Sequence, residues 1–336
     1  MSARQPELLV VVDTEEEFDW TKPFDRIATA TRSIPAQERA QAIYDEMGLV
    51  PTYVCTYPVA CDPVAVAYLK RLQDEGRAEI GAHLHPWVTP PHREEVCTFN
   101  SYECNLPAEL EYAKIGALTE ALEAAFGRKP TIFKAGRYGF GKHTAKMLVE
   151  HGYKVDCSVL PRSDLRGDGG PDFRRAPDEP IWLDRAAGLL EVPVTTGYFG
   201  AVPSAGRIFS RLFDNQKAIS LRIPGMLARS GLVSRSRLTP EGISAAEQCR
   251  LLDALVRQGR QTFSLVYHSP SLAPGHTPYT DDDVEVAEFV AAIAEVLTYF
   301  RDVLGGRFTT LSEVHARMSA QPAARKQPAA ARRLAA

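Results

Sequence analysis

Short apolar runs and amphipathic stretches alternate along the chain. Leu8–Val12 is continuously apolar and strand-sized, and residues 35–47 carry apolar positions at helical spacing before Gly48. The pair then repeats. Strand-like runs at 51–57, 78–83, 131–134 and 154–159 are interleaved with helix-like stretches at 63–75, 107–126 and 142–150. Gly76, Gly127 and Gly152 stand just past those stretches, and Pro35, Pro63 and Pro107 stand at their starts. After Pro161 the pattern loosens into a Gly-, Asp-, Arg- and Pro-rich stretch at 162–180. It resumes with a strand at 189–194, a helix at 240–257, a strand at 262–267, a long acidic-headed helix at 281–304 and a strand-to-helix piece at 308–317.

Strands separated by helices of this length pair in parallel. The pattern therefore predicts an α/β chain folded as a distorted (β/α) barrel with about seven parallel strands. An open doubly wound sheet is the alternative, but no GxGxxG or GxxxxGK[ST] follows a strand.

Composition narrows the classes further. With 336 residues, 45% hydrophobic and 24% charged, the chain can bury a sizeable core, which excludes disordered and collagen-like classes. No apolar run approaches the roughly 20 residues that span a bilayer, and no secretory h-region precedes the first strand, so a cytoplasmic location is expected. The six cysteines form no CxxC pair and are expected to be reduced thiols. The net charge of −3 is unevenly spread: residues 202–238 hold seven Lys/Arg against the single acid Asp214. Two readings of that segment stay open, a surface insertion and an anion-facing wall for acidic glycans or phosphates. The Ala-, Pro- and Gln-rich end, 319–336, is expected to be a disordered tail, and residues 1–318 a single barrel with an irregular basic insertion at 161–238. No nucleic-acid-binding motif is present. The oligomeric state is not legible.

A parallel barrel places functional side chains at the carboxyl ends of its strands. The first strand runs into Asp13-Thr14-Glu15-Glu16-Glu17, and residues two apart in extended chain face one side, so Asp13 and Glu15 can share a centre. The third strand ends in His83-Leu84-His85, whose two imidazoles can likewise face one divalent ion. His92 is expected to be exposed. The fourth strand leads to Gly136-Arg137-Tyr138-Gly139, where the glycines allow a sharp turn and Arg137 needs a carboxylate partner, Asp13 being a candidate. Asp156, an acid inside a strand pattern, also needs a partner, for which Arg137 or a histidine could serve. His268 closes the late strand and is available for proton transfer.

The order strand–Asp-x-Glu, His-x-His, Arg-Tyr-Gly and strand–His resembles the polysaccharide deacetylase family, the NodB-homology carbohydrate esterases, and looks most like their WalW-type branch. The resemblance spans about residues 8–315. It implies the family's distorted barrel, with Asp13 as catalytic base, Arg137 orienting that base, His268 as general acid and Asp156 as an acid tuning the arginine or histidine. It also implies Glu15 and His83 as metal ligands. The family's usual HxxxH spacing would put the second histidine at Trp87, so His85 must substitute. The implied chemistry is removal of N-acetyl or O-acetyl groups from a carbohydrate or polysaccharide precursor, with a divalent ion, zinc, polarising the carbonyl and acidifying its water. An acetylated sugar or glycan is the implied partner. Tyr138, Trp20, Trp87 and Tyr198 are aromatic candidates for stacking on sugar faces.

Two other readings remain. His-x-His also occurs in amidohydrolase-like metal barrels acting on small amides or phosphoesters, although usually on the first strand, which here carries Asp-x-Glu. The altered second histidine also leaves room for a sugar-binding protein of the same fold without turnover.

Overall fold

A computed structural model describes residues 5–201 and 232–321, together with Leu221, Met226 and Ser230. In chain order the elements are β1 (Glu7–Thr14), α1 (Glu38–Met47), β2 (Thr52–Cys55), α2 (Tyr57–Cys61), α3 (Pro63–Asp74), β3 (Glu79–Leu84), α4 (Ala108–Phe126), β4 (Ile132–Ala135), α5 (Thr144–His151) and β5 (Val155–Asp156). They continue with β6 (Ile181–Asp184), β7 (Leu189–Glu191), β8 (Thr196–Phe199), β9 (Ser234–Arg237), α6 (Ala245–Arg257), β10 (Thr262–His268), α7 (Asp283–Thr298), β11 (Arg307–Phe308) and α8 (Leu311–Ala320).

The main sheet has the order β10-β1-β2-β3-β4-β5-β7-β6, with β11 also paired to β1. Neighbours from β10 to β7 are parallel, and β6 runs antiparallel at the edge. β1 lies inside this sheet, every one of its residues buried, which is why its sequence is a continuous apolar run and not an alternating one. The ends of the sheet curl toward each other. Three backbone hydrogen bonds bridge the gap: Val194 to Val159 (3.0 Å), Leu238 to Thr195 (2.9 Å) and Val266 to Leu238 (3.1 Å). The result is the distorted (β/α) barrel that the alternation predicts.

Helix ends follow local chemistry. Asp62 caps α3 by accepting from the amides of Val64 and Ala65, and Thr310 and Glu313 form a capping box on α8.

The differences from the sequence expectation have local causes. The helix expected over 240–257 starts only at Ala245, where Ser244 accepts from the Glu247 amide, leaving 240–243 as loop. The helix expected over 281–304 is α7 followed by a π turn at Tyr299–Val303. The stretch 161–238 is less irregular than its composition suggests. It contains β6, whose Ile181-Trp182-Leu183 is hidden among polar residues, and a separate antiparallel pair, β8 and β9. β9 reads Ser-Arg-Ser-Arg and has no apolar residue to betray a period of two. Most of the basic segment 202–238, and all of the tail beyond Gln321, lie outside the described residues; Ser319 and Ala320, expected in the tail, belong to α8. All six cysteines are free thiols. No described helix is long and apolar enough to cross a membrane.

Candidate active site

Strand register assembles the site. Asp13 on β1 lies level with His268 on β10, and His83 on β3 lies level with Lys134 on β4. Glu15 and His85 follow two residues after Asp13 and His83, so each pair faces the barrel mouth as a period of two requires. Gly136 makes the close approach possible. A Cβ there would stand 2.4 Å from the Leu84 carbonyl oxygen and 2.7 Å from the His85 ring. The turn itself is made by Arg137 and Tyr138, which both take left-handed φ values, 53° and 61°, a costly conformation for side-chain-bearing residues. The sequence expectation had assigned that turn to the glycines.

Asp13 is held by Lys134, whose ammonium donates to both carboxylate oxygens at 2.6 and 2.7 Å. Both side chains are buried. Burial opposes ionisation of Asp13, but the charges of Lys134, His83 and His268 outweigh it and its pKa is lowered. Here the expected role of Arg137 is corrected. Arg137 bonds Ser101 Oγ and Asp168 and lies 4.2 Å over the Tyr102 ring, so the cationic partner of Asp13 is Lys134. A lysine inside the apolar run Ile132-Phe133-Lys134-Ala135 was itself the missed signal, since a buried ammonium requires a partner.

His268 Nε2 is 3.7 Å from Asp13 Oδ2, and its Nδ1 is 2.9 Å from both oxygens of Glu241. Glu241 also accepts from the His268 amide and from Ser271 Oγ. Pro240-Glu241-Gly242 reads as a helix start, so nothing in the sequence marked Glu241. Burial favours a neutral His268 ring, but Glu241 and Glu15 outweigh it and hold the pKa near 10. Because this value is raised above 6.5, the pair's contribution to stability is full below pH 6.5 and fades as pH rises through about 10. Glu241→Gln is therefore expected to move the His268 titration midpoint down by at least one pH unit, read by imidazole NMR; an unmoved midpoint would assign the charge to another partner.

Glu15, His83 and His85 form a buried cluster whose candidate donor atoms all lie within 4.8 Å of one another. Glu15 Oε2 is 3.4 Å from His85 Nε2 and 3.8 Å from His83 Nε2. The outer nitrogens are spoken for: His83 Nδ1 meets the Lys134 carbonyl at 3.1 Å, and His85 Nδ1 meets Glu16 at 2.7 Å. These bonds direct both Nε2 lone pairs at Glu15, the arrangement that supports ligating histidines. Glu15 Oε1 is buried without a hydrogen-bond partner, and burial raises the Glu15 pKa to about 8. A buried carboxylate with one oxygen lacking a hydrogen-bond partner and the other beside two imidazole Nε2 atoms fits a divalent cation, and the N/N/O donor set suits zinc. His92 is exposed and outside the cluster. Trp87, standing where the usual spacing would put a histidine, stacks on His85 at 4.2 Å and is 1% exposed, so it buttresses the ring.

A cleft of about 390 Å³ opens over this centre, lined among others by Trp20, Phe24, Tyr138, Arg237 and Tyr279. Trp20 packs edge-on against His268, with ring centroids 4.9 Å apart. Tyr138 lies 5.5 Å from the Lys134 ammonium. Tyr198 is buried on β8 and does not line the cleft. Asp156 does not line it either. It is buried, bonds Ser158 Oγ at 2.6 Å, and pairs with Glu191, burial raising the pKa of both carboxyls. Its partners are therefore Ser158 and Glu191, in place of the expected arginine or histidine. Its reach to the site is indirect: Ser158 Oγ accepts from the amide of Ala135, next to Lys134.

Fold and topology define a NodB-type (β/α) barrel. The chain shares it with a provisionally assigned polysaccharide deacetylase from Mycobacterium smegmatis (16% identity, TM-score 0.56, covering 97% of this chain and 96% of the other) and with PuuE allantoinase (14% identity, TM-score 0.54, covering 95% and 92%). It is also similar to a branching enzyme from Thermococcus kodakaraensis (13% identity, TM-score 0.51, covering 97% and 73%). No family model and no curated protein matches the sequence. Enzymes named for three different reactions share this barrel, so the reaction has to be read from the side chains.

Proposed function

We propose that the chain is a metal-dependent carbohydrate deacetylase of the NodB-homology type, of its WalW-type branch, removing N-acetyl groups from a sugar or glycan. The supporting observation is the convergence, at one mouth, of the Glu15–His83–His85 cluster with Asp13 on one side and His268 within 3.7 Å of Asp13. Since those residues come from positions 13 to 268, we assign residues 1–318 to one catalytic unit.

A zinc ion held by Glu15, His83 and His85 would supply Lewis-acid polarisation of the acetyl carbonyl and a lowered pKa for water. The protein's own groups do the rest. Asp13, kept ionised by Lys134, accepts a proton from the attacking water as its oxygen bonds to the acetyl carbon. His268, kept protonated by Glu241, donates from Nε2 to the amide nitrogen as the carbon–nitrogen bond breaks. Acetic acid and the free amine result, the acid's proton passing to the amine to give acetate and an ammonium, and passing the proton from Asp13 to His268 restores both. The two groups are pushed to opposite charge states by their partners, which is how one site holds a base and an acid at the same pH.

The test is acetate release from an N-acetylated chito-oligosaccharide, with allantoin as the control amide. Release that a chelator stops and zinc restores is expected. Turnover of allantoin alone would place the activity on cyclic amides, and bound metal with no turnover would favour a binding role.

A further inference from the structure

We propose that the cleft selects an acetamido sugar that carries an anionic group, a carboxylate or a phosphate, and that Arg237 is the residue that recognises it. This rests on the deacetylase reading of the same site and adds the substrate class.

Charge pairing inside the cleft carries the inference. Four Lys/Arg side chains line it: Lys22, Lys134, Arg137 and Arg237. Lys22 pairs with Asp19, Lys134 with Asp13 and Arg137 with Asp168. Among the described residues Arg237 has no such carboxylate partner within 4.0 Å. Its neighbours are the hydroxyl of Tyr279, which shares a hydrogen bond with it, and the phenol of Tyr138. Glu241, the acid whose charge reaches it, is engaged by His268. The residues outside the description contain a single acid, Asp214. A partly buried guanidinium in no ion pair within 4.0 Å, beside two tyrosines, is a receptor for an oxyanion, because its forked donors match carboxylate and phosphate oxygens.

Position fixes where that anion sits. Arg237 lines both the catalytic cleft and a second cavity of about 350 Å³ that also contains Ser163, Thr196, Arg235 and Ser236. An anionic substituent at Arg237 therefore sits where the cleft adjoins this second cavity. Arg237 closes β9, two residues from Arg235, whose Nη1 donates to the Arg162 carbonyl at 2.8 Å. The guanidinium is thus carried by a paired strand.

Two measurements test this. The first compares kcat/KM for N-acetylglucosamine 1-phosphate with that for N-acetylglucosamine, in wild type, Arg237→Gln and Arg237→Lys. The wild type is expected to favour the phosphate by tenfold or more, mainly through KM. The ratio should fall toward one in Arg237→Gln and stay above it in Arg237→Lys. The second is calorimetric binding of glucuronate against glucose by the same three proteins, which requires no acetyl group. Tighter glucuronate binding in wild type, weakened about tenfold in Arg237→Gln, supports the subsite even if neither sugar releases acetate, in which case the deacetylase reading alone fails. Equal handling of charged and neutral members by the wild type, or an unchanged preference in Arg237→Gln, overturns the proposal.

Discussion

Asp13→Asn should lower acetate release by about 10²–10⁴-fold, the span that a positioned general base contributes, while the metal content stays at the wild-type level. The substitution removes the proton acceptor and leaves the three candidate metal donors in place. It also leaves the Lys134 ammonium buried without its carboxylate, and breaking one side of a buried pair costs about 3–5 kcal/mol. A lower melting temperature is therefore expected alongside the loss of rate. Adding Lys134→Met removes the stranded charge, so the double variant should recover much of the melting temperature and none of the activity. If stability and activity return together, Asp13 is structural and the base lies elsewhere.

The same pair fixes a sign for pH. Lys134 holds the Asp13 pKa down, so Lys134→Met alone should raise it and move the acidic limb of the rate profile to higher pH. Arg137→Met should leave that limb in place, because Arg137 is bound to Asp168 and Ser101.

Loss of the cation is the second large effect. The double variant His83→Ala, His85→Ala keeps only Glu15 of the three donors and is expected to retain no zinc after dialysis, against one ion per chain for wild type. Glu16→Gln, which alters the bond to His85 Nδ1, should weaken zinc binding by about 10–100-fold. The proton on Glu15 adds a pH dependence. Its folded pKa lies near 8 against an ordinary 4.5, so the metal-free protein gains stability from this group below pH 4.5 and loses it as pH rises toward 8. Zinc replaces that proton, so its affinity and the rise in melting temperature it causes should both grow with pH up to about 8, with proton release on binding. Zinc retained by the double variant, or an affinity flat from pH 5 to 8, would place the ion elsewhere.

Much of this was legible in the sequence because it depends on local periods. The apolar runs and glycine stops located the central strands and helices, and the period of two put Asp13 with Glu15 and His83 with His85. What escaped depends on contacts between distant segments. Lys134 and Arg137 are three residues apart, and it is Lys134's place on β4, level with His83, that turns it to Asp13, while Arg137, in the left-handed turn beyond the strand, goes to Asp168. Glu241 reaches His268 from a loop 27 residues earlier, across strands β9 and β10 that share no sequence signal. Asp156 finds Glu191 in the same way, through pairing of β5 with β7.

The three hydrogen bonds that close the barrel separate two kinds of change. Thr195 and Leu238, which flank β8 and β9, lie on that seam, whereas the candidate metal donors follow β1 and β3 in the uninterrupted part of the sheet. Changes at Arg237 on β9 can alter what the mouth accepts without shifting the register that aligns Asp13 with His268 or His83 with Lys134. Such an architecture lets the lining of the cleft vary around a fixed arrangement of Asp13, His268 and the Glu15–His83–His85 cluster.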